Sequence, residues 1–384
     1  MIDSLTCGGA ERSLVSLLPC LDYEKIDVDL LLVGKGGIFE KYVPSQVNFK
    51  YFSSGCTTLS QKLSLMLGRI GFSIYLRLNR FRKSPMNPPH MEWITCGRAY
   101  QPLEKEYDVA IAYQQGFPTY YVMDKVCAKR KLAWINVDIY NTRHRPSFIK
   151  PYYDKYDEVV TVSEAMFKKF VKNGLIPENK LNCVYDILNV DFIKRQSLES
   201  VPEKFSQGSS LITIVTVARL IERNKGQDLA IKAARILKEK GISFRWLLVG
   251  DGPDREDLER KIIDHGVEDV VYLTGLQANP YPFIRIADVY VQTSRYEGFG
   301  LTITEAKILS RPIVSTNFPS AYNQIAEGIN GLLVEMNPEA IAEGIITIIK
   351  DKDLANKIIA NNSDYVDKTA ETESAKVMNL ILGN

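Results

Sequence analysis

Glu297 and Glu305, with seven residues between them, frame Ser294-Arg295-Tyr296-Glu297-Gly298-Phe299-Gly300-Leu301-Thr302-Ile303-Thr304-Glu305. The stretch leaves an apolar strand expected over 288–293 and enters a helix expected over 301–310. A loop that opens a helix after a parallel strand presents free backbone N–H groups and the positive end of the helix dipole. That combination suits a phosphate. Gly298 and Gly300 let the backbone approach a ligand closely. Glu305, one turn inside the helix, shares a face with Leu301. Its carboxylate is placed to accept two hydroxyls of a ribose, and Glu297 in the loop is placed to reach a second polyol. Two acids flanking a phosphate site describe a nucleotide-sugar pocket. The same glutamates would also be favoured by the helix dipole alone, so the surrounding elements must carry the reading.

Other segments point the same way. Val217-Ala218-Arg219-Leu220-Ile221-Glu222-Arg223-Asn224-Lys225-Gly226 follows a strand expected over 211–217. It puts Arg219 and Lys225 on the loop before the next helix, where two cations neutralise a diphosphate leaving group as its charge develops. Val249-Gly250-Asp251-Gly252-Pro253 is a tight strand-to-helix turn. It lacks the third glycine of a dinucleotide fingerprint, since Arg255 stands there, and Gly34-Lys35-Gly36-Gly37 fails similarly. Leu5-Thr6-Cys7-Gly8-Gly9-Ala10-Glu11-Arg12 precedes an apolar helix, and its Gly-Gly turn again permits an anion close to the backbone.

The elements that must hold these loops alternate regularly in the second half. Strands are expected over 211–217, 244–249, 270–274, 288–293, 312–316 and 331–334. Helices are expected over 227–240, 254–264, 282–286, 301–310, 321–327 and 338–350. Short apolar strands between amphipathic helices make a doubly wound α/β domain with a buried parallel sheet. The first half repeats the pattern less regularly, with strands over 28–33, 47–52, 109–113, 131–135 and 158–162. Ser163 is a capping residue before an apolar stripe. The polar, serine-rich stretch 195–210 reads as a linker. Domains are therefore expected over 1–194 and 211–365, with a terminal helix over about 366–384 returning to the first. Two such domains would face each other across a cleft lined by the carboxyl edges of their sheets.

Composition narrows the classes. The chain has 384 residues, 45% hydrophobic and 24% charged, with a net charge of +2. That is ordinary for a globular protein and shows no global bias toward nucleic acid. Six scattered cysteines without C-x2-C pairs fit neither a zinc site nor a disulfide framework. They suit a reducing, cytoplasmic setting. Three histidines are too few for a multi-His metal centre. No run of 18 apolar residues spans a membrane, and the N-terminus has no signal-peptide pattern. One segment departs from this neutrality. Residues 51–100 hold seven Lys or Arg and one acid, Glu92. Within them, 62–83 mixes apolar and basic residues as a segment lying on an anionic membrane surface would. A core-facing helix with a solvated basic face would read the same way.

Taken together, the chain resembles the family-4 retaining glycosyltransferases of the GT-B fold. Gly8-Gly9-Ala10-Glu11-Arg12, Val217-Ala218-Arg219-Leu220 with Lys225-Gly226, Val249-Gly250-Asp251-Gly252-Pro253 and the Glu297/Glu305 pair occur in that family's order. The resemblance covers nearly the whole chain and is strongest over about 211–334. It implies that Glu297 faces the donor sugar and Glu305 holds the ribose. Arg219 and Lys225 would hold the diphosphate with backbone amides around Phe299, Gly300, Leu301 and Thr302. Leu273-Thr274-Gly275-Leu276 would flank the base, near Gly250. Gly8 and Gly9 would close over the donor. It also implies no divalent metal, no cofactor and retention of anomeric configuration by front-face departure and attack. The partners implied are a nucleoside-diphosphate hexose, UDP before GDP, and a lipid-linked or polysaccharide acceptor of the cell envelope. A sugar-nucleotide epimerase and a degenerate nucleotide-sugar-binding subunit are the alternatives.

Two departures stand out. Where the family often has histidine, this chain has Asn136 in Trp134-Ile135-Asn136-Val137-Asp138, with Asp138 as a nearby acid. And only Met1 to Leu5 precede the Gly-Gly turn, fewer residues than the family's first strand. A truncated strand would expose sheet edges, so upstream codons would be expected to improve solubility.

Overall fold

The computed structural model describes residues 1–6, 8–79, 81–82, 86–141, 144–206, 211–363 and 369–383. It divides into two compact units, Met1–Ile187 with Thr369–Asn384, and Leu188–Lys368.

The first unit contains α1 (Gly9–Leu17), β1 (Val28–Leu32), β2 (Val47–Tyr51), α2 (Leu59–Asn79), α3 (Pro88–Cys96), β3 (Glu106–Ala112), α4 (Phe117–Lys125), β4 (Cys127–Ile135), α5 (Pro146–Tyr153), β5 (Glu158–Thr161), α6 (Glu164–Asn173) and β6 (Leu181–Cys183). Strands β3-β4-β5-β6 form a parallel sheet, and β1 pairs with β2 in parallel. Met1 and Ile2 run between the two. The Ile2 N–H donates to Leu31 O at 3.1 Å, and the Tyr113 N–H donates to Met1 O at 2.9 Å. Ser163 caps α6 by accepting from the Met166 N–H, and Gly174 closes that helix in the left-handed conformation, so both ends are set locally.

The second unit contains α7 (Val190–Gln196), β7 (Ile212–Val217), α8 (Glu222–Lys225), α9 (Gln227–Glu239), β8 (Phe244–Val249), α10 (Arg255–Asp264), β9 (Val271–Gly275), α11 (Tyr281–Arg285), β10 (Val289–Gln292), α12 (Leu301–Ile308), β11 (Ile313–Thr316), β12 (Leu332–Val334), α13 (Pro338–Lys350) and α14 (Lys352–Ser363). Its six strands are parallel in the order β9-β8-β7-β10-β11-β12. Numbered from this unit's first strand, that is the 3-2-1-4-5-6 order of a doubly wound sheet. Every residue of β8 is buried, as a strand covered by helices on both faces must be. Ile214, Trp246 and Val291 face one helical layer, while Val215, Leu247 and Tyr290 face the other.

Three features differ from the sequence reading. Leu188, Ile193 and Phe205 pack into the second unit's core, so much of 188–205 is built into that unit rather than spanning as a linker. The helix expected over 321–327 is a short 3-10 turn, Pro319–Asn323. There the Asn330 side chain accepts from the Ala326 N–H at 2.9 Å and donates to Gln324 O at 3.2 Å, drawing the backbone away from helix. And α2 runs unbroken through Gly68 and Gly71. Those glycines let it approach α3: a Cβ at Gly68 would lie 2.7 Å from Thr95 O.

The last helix, α15 (Thr369–Leu382), belongs to the first unit. Its buried Glu373 accepts from the Tyr185 N–H at 2.9 Å.

Candidate active site

The order of the second sheet reverses between β7 and β10, and at that point the loops leaving both strands lie side by side. The Arg295 and Tyr296 N–H groups donate to Asn224 O at 2.8 and 3.2 Å, and Thr293 Oγ1 donates to Lys225 O at 2.9 Å. Arg295 forks onto Asp228 at the start of α9, with both contacts at 2.8 Å. Burial alone would raise Asp228, but the guanidinium holds its carboxyl below the ordinary carboxylate value. Gly226 could not be replaced here. It is left-handed, with φ +66°, and a Cβ would lie 2.1 Å from Thr293 O.

This clamp brings Lys225 against Glu297, Nζ to Oε2 at 2.6 Å. Glu297 Oε1 also accepts from Ser294 Oγ at 2.6 Å and Gln292 Nε2 at 3.0 Å. Three donors thus fix the carboxylate as an acceptor. Ser294 and Gln292 were not among the residues singled out in the sequence. Their signal was polarity at the carboxyl end of an otherwise apolar strand.

Arg219 leaves the adjacent β7, its side chain exposed and without an ion pair or side-chain hydrogen bond among the described residues. Its carbonyl accepts from Gln227 Nε2 at 2.9 Å. On the other side of β7, a Cβ at Gly250 would lie 2.0 Å from Ala218 O, so the β8 turn must be glycine to lie beside the Arg219 loop. Leu276, beyond β9, is exposed.

Gly300 precedes α12 in the left-handed region, with φ +94°. Gln324 and Phe318 brace it: a Cβ there would lie 3.2 Å from Gln324 Nε2 and 3.4 Å from Phe318 Cζ. Gln324 Nε2 also donates to Phe299 O. The first turn of α12, with Leu301 and Thr302, therefore starts at the carboxyl edge with its N–H groups outward. Thr302 Oγ1 donates to Gln292 Oε1 at 3.0 Å, which ties that turn to the Glu297 network. Glu305 is fully buried one turn further in, where it accepts from the Tyr281 hydroxyl at 3.4 Å.

The remaining sequence candidates lie in the first unit, also at strand carboxyl ends. Asn136, after β4, donates from Nδ2 to Tyr113 O at 2.7 Å, and its N–H donates to Gln115 Oε1 at 3.0 Å. Its Oδ1 is buried without a hydrogen-bond partner among the described residues. Asp138 is paired with Lys169 and accepts from the Tyr140 N–H, so its charge is already answered. Gly8 caps α1 and Gly9 begins it. The space beside Gly8 is filled by the Glu11 carboxylate, which lies 2.0 Å from where a Cβ would be. The chain's own acid thus takes the favourable place at that helix terminus. Cys7 lies outside the described residues.

Residues 199–364 match the family model of glycosyl transferases group 1. The chain is 25% identical over 358 residues to an N-acetylgalactosamine-N,N'-diacetylbacillosaminyl-diphospho-undecaprenol 4-alpha-N-acetylgalactosaminyltransferase of Campylobacter jejuni, covering 92% of this chain and 90% of that one. It is 26% identical over 176 residues to an uncharacterised glycosyltransferase of Methanocaldococcus jannaschii, covering 45% of this chain and 43% of that relative, less than half its length. Among solved structures, Anabaena HepE in complex with UDP and glucose superposes with a TM-score of 0.72 at 17% identity, covering 100% of this chain and 98% of that one.

Proposed function

We propose that this chain, which belongs to the GT-B glycosyltransferases, moves a hexose-type sugar from a nucleoside-diphosphate donor to a lipid-linked or polysaccharide acceptor of the cell envelope. The observation that carries this reading is the convergence at the β7/β10 switch point of Arg219, the Lys225–Glu297 pair and the N-terminus of α12. Ligands of doubly wound sheets bind at such a point.

In this reading the donor diphosphate rests on the outward N–H groups of Leu301 and Thr302. Arg219 and Lys225 neutralise the charge that develops as the sugar–phosphate bond breaks, so no divalent metal is required. Lys225 leaves Glu297 for the phosphate. Glu297, still oriented by Ser294 and Gln292, then accepts hydroxyls of the sugar. Glu305 holds the ribose. The acceptor hydroxyl attacks from the face the diphosphate leaves and passes its proton to the departing phosphate oxygen, which retains configuration. Phe299, Gly250 and Leu276 line the nucleotide side. In the first unit, Asn136 cannot relay a proton as a histidine would. UDP is the preferred donor base, supported by the UDP and glucose bound in Anabaena HepE. The lipid-linked acceptor is supported by the diphospho-undecaprenol in the Campylobacter relative's name.

The same reading places α2 on a cytoplasmic anionic membrane surface. No helix among the described residues is long and apolar enough to cross a membrane. Yet Leu59, Leu63, Met66, Leu67, Ile70 and Ile74 of α2 are all exposed. At 100° per residue they form one stripe opposite the face on α3, with Lys62 and Arg69 on its flank and no acid in the helix. Arg80 and Lys83 lie outside the described residues.

Replacing Glu297 by Ala, or Arg219 by Ala, is expected to lower transfer at least about 100-fold. Arg219→Ala should keep the parent's melting point. Glu297→Ala should keep the fold while melting a few degrees lower, because buried Gln292 and Ser294 lose their acceptor. Full transfer by either variant, followed as product from a UDP-sugar and a polyprenyl-diphosphate glycan, would remove that residue from the mechanism.

A further inference from the structure

The first unit has a cavity of about 320 Å³ on the amino edge of its sheet, lined among others by Trp93, Arg98, Asp124, Lys125, Phe148 and Tyr152. Trp93, Arg98, Asp124, Lys125 and Tyr152 come from the last turns of α3, α4 and α5 or just beyond, and Phe148 from the first turn of α5. Gly8 and Asn136, in contrast, stand at the strands' carboxyl ends. The volume falls at the small end of ligand pockets.

Its walls are aromatic and fixed. Phe148 stacks on His90 with centroids 4.7 Å apart, and Tyr152 packs on Tyr120 at 4.7 Å. Trp93 Nε1 donates to Asp124 Oδ2 at 3.2 Å, and the Tyr152 hydroxyl approaches the same oxygen at 3.5 Å. The other Asp124 oxygen has no partner among the described residues and is open to accept a hydroxyl. Arg98 and Lys125 make no ion pair or side-chain hydrogen bond among the described residues, so two cations answer one carboxylate.

Helix polarity says what this suits. Three helix C-termini converge here, each bringing the negative end of its dipole. Such a place favours hydroxyl donors. An aromatic wall takes the apolar C–H face of a pyranose, as amphipathic rings do. The two cations add demand for one anionic group on the same ligand.

We infer that this pocket binds an acidic saccharide, a hydroxyl-rich ring bearing a carboxylate, at a site separate from the donor machinery. It goes beyond the transfer reaction and does not depend on it: a chain that failed as a transferase would still bind.

The test is calorimetric titration of the full chain with trigalacturonic acid, with maltotriose as the neutral match. Saturable binding is expected for the acidic trisaccharide and at least about tenfold weaker binding for maltotriose. Arg98→Ala, a change at an exposed side chain, is expected to weaken the acidic ligand at least about tenfold, and Glu297→Ala to leave its binding in place. Absence of saturable binding would overturn the proposal, as would an unaffected Arg98→Ala or equal binding of maltotriose. Loss of binding in Glu297→Ala would return the ligand to the donor site. Phosphatidylglycerol vesicles that bind through Arg98 while the trisaccharide does not would replace the saccharide with a lipid headgroup.

Discussion

At the residue scale, the site depends on backbone positions as much as on charges. Gly300 holds φ +94°, which costs an L-residue about 1–2 kcal/mol before any contact is counted. Gly300→Ala should therefore lower the melting temperature by a few degrees and lower transfer by more than that loss explains, since the first turn of α12 would shift. A variant with the parent's melting point and rate would refute this. A second residue makes a pH signature. His90 is fully buried, and neither ring nitrogen has a hydrogen-bond partner among the described residues. Burial, with His144 and Arg145 nearby, brings its pKa down to about 3. Between the ordinary value of 6.5 and about 3, the unfolded chain binds a proton that the folded chain refuses, so this histidine's contribution falls as pH falls. Asp3 and Asp186, raised by burial to about 7, act in the opposite sense over 3.8 to 7. The parent's own profile mixes the two. The stability difference between His90→Phe and the parent isolates the histidine, and it should grow steadily in the variant's favour as urea midpoints are taken from neutral pH down to pH 4. A constant difference would show that the ring is not held neutral.

At the element scale, α2 is the most exposed apolar helix of the described residues. Leu67→Glu with Ile70→Glu should abolish co-sedimentation with phosphatidylglycerol vesicles. Stability should stay within about 0.5 kcal/mol for each change, because neither side chain is buried. Retained sedimentation would remove α2 as the membrane face. Legibility in the sequence also differed by element. The six strands of the second unit were readable because each is a short apolar run between helices, and Glu297, Arg219 and Lys225 stood at their ends. β6 was not readable, since three residues carry no period. Nor was α14, separated from α13 by Asp351 alone. The Lys225–Glu297 pairing was hidden for another reason: 72 positions separate the partners, and only the parallel pairing of β7 with β10 brings their loops together.

At the scale of the whole molecule, the donor machinery of the second unit is built from one continuous segment, whereas the first unit needs both ends of the chain. A nucleotide should thus stabilise a single contiguous stretch. UDP at about a hundred times its dissociation constant should add about 2.7 kcal/mol. Hydrogen-exchange protection should rise over 212–334 and stay level over 28–183. Protection gained by NAD and not by UDP or GDP would overturn the donor assignment.

The contact between Lys225 and Glu297 has a consequence for selectivity. A bare cation pair at a helix terminus would collect any phosphate in solution. Here the pocket is its own salt, because one of its two cations already pairs with Glu297. A lone phosphate that draws Lys225 away leaves Glu297 without its counter-charge. A sugar that approaches Glu297 without a diphosphate finds Lys225 in the way. On the proposed reading, only a ligand carrying both parts repays the opening of the pair. The pocket then works as a coincidence detector, ignoring either half of a nucleotide sugar and answering to the two joined.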